Sequence, residues 1–176
     1  METRLDDIIP FLTQTEIARK LAAEDISALV PYLDVLRVEE EACIIREGAP
    51  GDAWYVVMEG EVCVSKNVIH GPPHVLSHLG AGECFGEMAL IDGSPRLASI
   101  HAVTDAALVR LPAASFQRLI DENPALAMKL VLAMGGVIAQ RQRELTYILT
   151  DLMEIDDPEA EPDPDTLAAM LRSSLG

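Results

Sequence analysis

Residues Cys84–Ile100, CFGEMALIDGSPRLASI, carry the reading that decides both the fold and the site. They place one glutamate, Glu87, directly after Gly86 and one arginine, Arg96, directly after Pro95, in a mostly apolar stretch. Gly86 lets the backbone approach a ligand with no Cβ in between. A helical turn opening near Glu87 leaves its first amides pointing at an anion, and the dipole there favours negative charge. Arg96 offers a planar fork of donors that matches two phosphate oxygens. Glu87 can accept from a sugar hydroxyl, and Pro95 limits the freedom that the Arg96 backbone loses on binding. These residue types describe a pocket for one small anion carrying a sugar. The competing reading pairs Arg96 with Glu87 on an exposed turn, an arrangement worth only about 0–1 kcal/mol.

Working outward, the flanking texture is β-rich. Cys43–Ile45, Trp54–Met58, Glu61–Ser65, His74–Leu79 and His101–Leu111 read as strands, with Gly48, Gly51 and Gly60 as punctuation. Met58–Glu61 reads as a tight hairpin turn. Strands of this length and spacing suggest a barrel or sandwich. Before them, Thr13–Leu36 reads as two or three short helices, with Ile17, Leu21, Ile26, Leu29, Val30 and Leu33 at helical spacing and Pro31 near the end. After them, Pro112 closes the β section and two helices follow, Ala113–Asp121 and Pro124–Ile155, with Pro124 at the first helical position after Asn123.

The long helix carries a second pattern. Met134, Ile138, Arg141, Leu145, Ile148, Leu152 and Ile155 repeat with alternating spacings of four and three, a heptad seam that fits a homodimer. The same stripe would also serve to pack the helix on its own body. Gly135 and Gly136 weaken the helix and mark a candidate hinge. Residues 156–176 open with DDPEAEPDPD, a solvated acidic linker by composition, and Leu167, Met170 and Leu171 form a short apolar element beyond it.

The segment 84–100 resembles the phosphate-binding cassette of the cyclic nucleotide-binding domain family, F-G-E-x-A-L-x-x-x-x-P-R-x-A-[ST]-[VI]. Phe85, Gly86, Glu87, Ala89, Leu90, Pro95, Arg96, Ala98, Ser99 and Ile100 all fall on that pattern, and fixed spacing over so many positions is specific. Arg46–Val64, REGAPGDAWYVVMEGEVCV, is similar to the family's paired strands and glycine turns. The resemblance implies an α+β protein. Its parts are an N-terminal helical segment (1–37), a jelly-roll-like β-roll (38–112), two C-terminal helices (113–155) that move on binding, and a tail (156–176). It also implies that Arg96 grips a cyclic phosphate and Glu87 the ribose 2′-hydroxyl, with Phe85, Gly86, Met88, Ala89, Leu97, Ala98 and Ser99 lining the ligand. Arg141 or Gln142 would cap the base, within one chain or across a dimer interface; alternatively Arg141 only sets the register of the seam. Leu97 lacks the hydroxyl that cGMP-preferring members place after the cassette arginine, so the resemblance favours cAMP over cGMP. Transcription regulators of the family continue into a helix-turn-helix domain; only the acidic stretch 156–176 follows the long helix here, so direct DNA regulation is not expected.

Composition narrows the partners. Thirteen Lys and Arg against 29 Asp and Glu give a formal net charge of −16, which disfavours a nucleic-acid or anionic-membrane surface. Screening over about 8 Å leaves an anion site to its local groups. Cys43, Cys63 and Cys84 suit reduced, buried thiols in a cytoplasmic protein. No signal peptide or apolar run of spanning length stands out. His70, His74, His78 and His101 lack metal-ligand spacing, and neither a cofactor motif nor a catalytic constellation appears. The sequence therefore reads as a non-enzymatic cytoplasmic sensor acting on an unknown downstream protein. The alternative is an interaction scaffold that has lost nucleotide binding.

Overall fold

A computed structural model of the chain describes residues 5–156, and side-chain surroundings for residues 8–151. The strands are β1 (Asp34–Val38), β2 (Cys43–Ile45), β3 (Ala53–Glu59), β4 (Val62–Lys66), β5 (His74–Leu79), β6 (Cys84–Phe85), β7 (Ser99–Ala102) and β8 (Ala106–Pro112). They form two antiparallel sheets, ordered β1-β8-β3-β6 and β2-β7-β4-β5. The helices are α1 (Leu5–Leu12), α2 (Ala23–Leu29), α3 (Glu87–Asp92), α4 (Ala113–Glu122) and α5 (Pro124–Asp156), with 3-10 turns at Glu16–Lys20 and Val30–Tyr32. This is the α+β roll with flanking helices that the sequence implies.

Strand β3 shows why the layers assemble. Side chains alternate along a strand, so Trp54 and Val56 face one way and Ala53, Tyr55 and Val57 the other. Trp54 and Val56 join Val109 and Leu111 of β8 beneath Leu29, Leu119, Leu130 and Met134 of the helices. Tyr55 and Val57 join Val62, Phe85, Ile100 and Leu108 inside the roll. Both faces of β3 are covered, which is why its sequence is continuously apolar rather than alternating. Each large side chain taken from water there contributes about 1.5–3 kcal/mol.

Several boundaries differ from expectation, each for a local reason. The roll starts at Asp34, inside the stretch expected to be helical, because the 3-10 turn that holds Pro31 stops at Tyr32, Leu33 is extended and β1 pairs with β8. Arg110 fixes that pairing, donating to both Asp34 oxygens at 2.8 Å. The single strand expected over His101–Leu111 is two strands in different sheets. They are separated by a turn where Val103 N donates to Glu61 O at 2.8 Å and Glu61 N to Thr104 Oγ1 at 3.1 Å. Helix α1 lies within the expected N-terminal helical segment (1–37), ahead of the Thr13–Leu36 stretch in which individual helices are read; its Ile8 and Leu12 are buried in the core. The cysteines are free, as expected, but only Cys84 is buried: Cys43 is exposed and Cys63 half-buried. Both are register partners of His101, and their neighbours Val62 and Ile100 face the core, which turns the two cysteines outward.

At the C-terminal side Asn123 Oδ1 accepts from Leu126 N at 3.1 Å and Pro124 takes the first helical position, as the sequence predicts. Helix α5 passes through Gly135 and Gly136 without interruption. A Cβ on Gly136 would lie 3.1 Å from Lys20 Nζ, so this glycine admits a crossing side chain rather than a break. The chain forms two compact units that divide between Ile138 and Ala139. Met134 corrects the expected seam: it is fully buried in the core of its own unit and is not available to a second chain. Heptad spacing alone does not distinguish a stripe facing the helix's own body from one facing a partner. The side chains of Leu152 and Ile155, and the acidic tail with its terminal apolar element, lie outside the described residues.

Candidate ligand site

The cassette begins where β6 ends. Phe85 stacks on Tyr55 at 5.0 Å between ring centroids, which anchors the strand end inside the roll. The backbone then turns through Gly86 at φ +83° into α3, and a second left-handed glycine, Gly93, closes that helix. Glycine at position 86 is required twice over. Its φ disfavours an L side chain, and a Cβ there would stand 2.6 Å from Arg96 Nη1. Gly51 does the same service beneath α3, where a Cβ would meet that of Ala89 at 2.5 Å.

Arg96 and Glu87 are buried, 4% and 5% exposed, which excludes their pairing on an exposed turn. Arg96 Nη1 donates to Gly86 O at 2.9 Å, while Nη2 donates to Ala53 O at 2.6 Å and to Asp52 Oδ1 at 2.8 Å. Asp52 supplies the countercharge from a side chain that is 76% exposed. A guanidinium has five N–H donors; these bonds use three and leave the Nε–H and one Nη1–H. Nη2 is spent on the β3 end, so the two-pronged fork expected from sequence is not offered in this state.

The outgoing limb is also tied down. Gly48 N donates to Arg96 O and Arg96 N to Ala49 O, each at 2.8 Å. Glu47 N donates to Ser99 Oγ at 3.0 Å, so that hydroxyl braces the cassette. Lys66 Nζ donates to Leu97 O at 2.5 Å and pairs with Glu47 at 2.9 Å. The Asn67 amide, and after it Lys66, hold the Glu47 carboxyl below its ordinary range. Asp92 is likewise lowered, chiefly by the Ser94 hydroxyl, which fastens the turn after α3.

Of the remaining predicted ligand residues, Ala89 is buried and Ala98 half-buried, whereas Met88 and Leu97 are 43% and 64% exposed. Arg141 is half-buried and Gln142 exposed, on α5 in the second compact unit. Sequence reasoning missed Asp52, Tyr55, Glu47 and Lys66. All but Lys66 lie within the Arg46–Val64 stretch whose glycines were read, and an acid directly after Gly51 was the available signal for Asp52. Nothing in the linear pattern joins Glu47 or Lys66 to Leu97. A concavity of about 450 Å³ lies on Cys43, Arg46, Ser65, Ser99 and His101 among others; Gly86, Glu87 and Arg96 do not line it.

The sequence pattern of the family described as cyclic nucleotide-binding domain matches residues 35–123, the roll from the second residue of β1 onward and α4. The chain belongs to the cyclic nucleotide-binding domain family. It is 36% identical over 110 residues to a cAMP-dependent protein kinase regulatory subunit of Aspergillus fumigatus, covering 62% of this chain and 26% of that protein. The chain thus spans about a quarter of the length of that relative. Among solved structures it is similar to the catabolite activator protein of Thermus thermophilus, with TM-score 0.68, 29% identity, and coverage of 79% of this chain and 63% of the other. A cyclic nucleotide-binding domain from Methylobacillus flagellatus shares the fold at TM-score 0.72 and 24% identity, over 91% of this chain and 86% of the other. In this cyclic nucleotide-binding domain the cassette residues named from sequence occupy one continuous segment, from the end of β6 through α3 to the start of β7. Among the described residues no helix is long and apolar enough to cross a membrane.

Proposed function

We propose that the chain is a cytoplasmic cAMP sensor. It binds cyclic nucleotide at the cassette, prefers cAMP to cGMP, and passes the bound state through its C-terminal helices to a partner protein. Its role is regulatory, without catalysis or a cofactor. The observation that carries this reading is Arg96, a guanidinium almost wholly buried beside Gly86 and the buried Glu87 in a protein of net charge −16. Its Nε–H and remaining Nη1–H, with the first amides of α3, are donors suited to a cyclic phosphate. Glu87 then takes the ribose 2′-hydroxyl. Leu97, without a hydroxyl, gives the guanine amino group no partner, which favours adenine.

Transmission requires that ligand bind two states of the protein unequally. Arg141 or Gln142 on α5 closing over the base would supply that difference. The homodimer is part of the same proposal. Beyond Ala139 the helix carries Leu145, Tyr147, Ile148 and Leu149 at 54–61% exposure, and helices in proteins draw most of their stability from packing such an apolar face. A seam of Ile138, Arg141, Leu145, Ile148 and Leu152 on a second copy covers such a face.

Calorimetric titration with cAMP and cGMP tests the reading. Saturable binding of one nucleotide per chain, tighter for cAMP, is expected; no heat from either at millimolar concentration defeats it. One observation favours a second reading, a scaffold that no longer binds nucleotide. Asp52, Gly86 O and Ala53 O already accept three of the five Arg96 donors, so the protein's own groups anchor that guanidinium. The same titration separates the two.

A further inference from the structure

We infer that Lys66 and Glu47 form a brace that sets the Arg96–Ser99 limb of the cassette in its binding geometry before ligand arrives, which makes Lys66 a positioning residue. The inference rests on the cassette reading above and adds residues from outside the cassette to it. Lys66 ends β4, and its ammonium joins two groups that the chain keeps far apart: Leu97 O at 2.5 Å and Glu47 Oε1 at 2.9 Å. Glu47 is held in turn at both ends. Its Oε2 accepts from Asn67 N at 2.9 Å, and its own amide donates to Ser99 Oγ at 3.0 Å.

An isolated surface ion pair contributes little. This one differs because its termini are main-chain atoms of the limb and of the loop beside it. The Lys66 acceptor belongs to the peptide joining Leu97 to Ala98, directly after Arg96. Releasing it frees that peptide to rotate, while the Gly48–Arg96 and Arg96–Ala49 bonds still hold Arg96 itself. A limb that must be ordered at the moment of binding lowers affinity. The brace is therefore a device for affinity, and the roll itself is independent of it.

The test uses the full chain, with cAMP affinity from calorimetry and thermal melting of the ligand-free protein. Lys66→Met and Glu47→Gln should each weaken cAMP binding about tenfold with little change in melting. The double variant should lose no more than either single one, because both cut the same link. Lys66→Arg, which keeps charge and reach, should restore binding. Wild-type affinity in Lys66→Met, additive losses in the double variant, or failure of Lys66→Arg to restore binding each overturns the brace. If the wild-type protein takes up neither nucleotide, the sensor reading falls. The brace is then judged by amide hydrogen exchange at Leu97–Ser99 without ligand: faster exchange in Lys66→Met upholds it, and unchanged exchange overturns it. Should Lys66→Met fail to fold, Glu47→Gln answers the same questions.

Discussion

The cassette and the far half of α5 invert the usual distribution of side chains in opposite ways. In the cassette the charged groups are inside, Arg96 and Glu87 at 4% and 5% exposure, while Leu97 stands 64% exposed. Beyond Ala139 the apolar groups are outside, with Leu145, Ile148 and Leu149 all more than half exposed. Burying charge is costly unless it is paired or hydrogen-bonded. Leaving a contiguous apolar stripe in water is the mark of an interaction surface. On the function proposed above, the first inversion is where a small polar ligand binds, and the second is the face that a second copy of the chain covers.

The largest effect should come from breaking the first inversion. Arg96→Ala is expected to weaken cAMP binding by about 3 kcal/mol, roughly 150-fold, and to leave Gly86 O and Ala53 O short of a donor. Calorimetry reads the first effect and urea denaturation the second. Affinity like that of wild type in a folded variant removes Arg96 from the site. The second inversion breaks next. Ile148→Asp places a charge where an apolar side chain worth about 2 kcal/mol would be covered, so sedimentation should fall to the monomer mass while cassette binding stays measurable. Sedimentation unchanged from a wild-type dimer means that the seam runs along another face.

A smaller effect distinguishes a loop that merely contains the right residues from one held at a fixed height. Gly51→Ala puts a Cβ 2.5 Å from the Ala89 Cβ and 2.9 Å from its carbonyl oxygen, so α3 must lift. Overpacking of this kind costs about 1–2 kcal/mol, and cAMP affinity should drop with stability. A variant that loses stability but binds cAMP as tightly as wild type would show that the height of α3 does not matter to the ligand.

How much of this was legible in the sequence depends on the range of the interactions involved. Gly86, Glu87, Pro95 and Arg96 were readable because a turn, a short helix and a strand end are local objects with local residue requirements. Strand lengths and glycine turns suggested only a barrel or sandwich; the roll followed from the resemblance carried by residues 46–64 and 84–100. What escaped is long-range. Asp52 meets Arg96 across 44 positions and Lys66 meets Leu97 across 31, and spacing along the chain does not encode either meeting. The seam failed at Met134 for a related reason: a period of three and four fixes a face of the helix, but not what lies opposite it.

The smallest predicted effect lies on the near half of α5, the counterpart of the bare far half. There Lys129 Nζ reaches back to Asp25 of α2 at 2.7 Å, and Leu126, Leu130 and Val137 are buried on the roll's helical layer. The Lys129 hydrogen bond, and after it the Ala22 amide, hold the Asp25 carboxyl below its ordinary range. A depressed folded-state pKa stabilises at pH values above the unfolded one, and that contribution disappears as pH falls through the lowered value. Asp25→Asn should therefore melt slightly below wild type at neutral pH, and the gap should close in acid, below about pH 4. A gap that persists once the carboxyl is fully protonated would mean that the carboxamide disturbs the start of α2 rather than the ion pair. Because the pair lies within the first unit, the sedimentation of Asp25→Asn should match that of wild type at every pH where both stay folded. A change there would join the two halves of α5 energetically, and the contrast between them would no longer be one of independent surfaces.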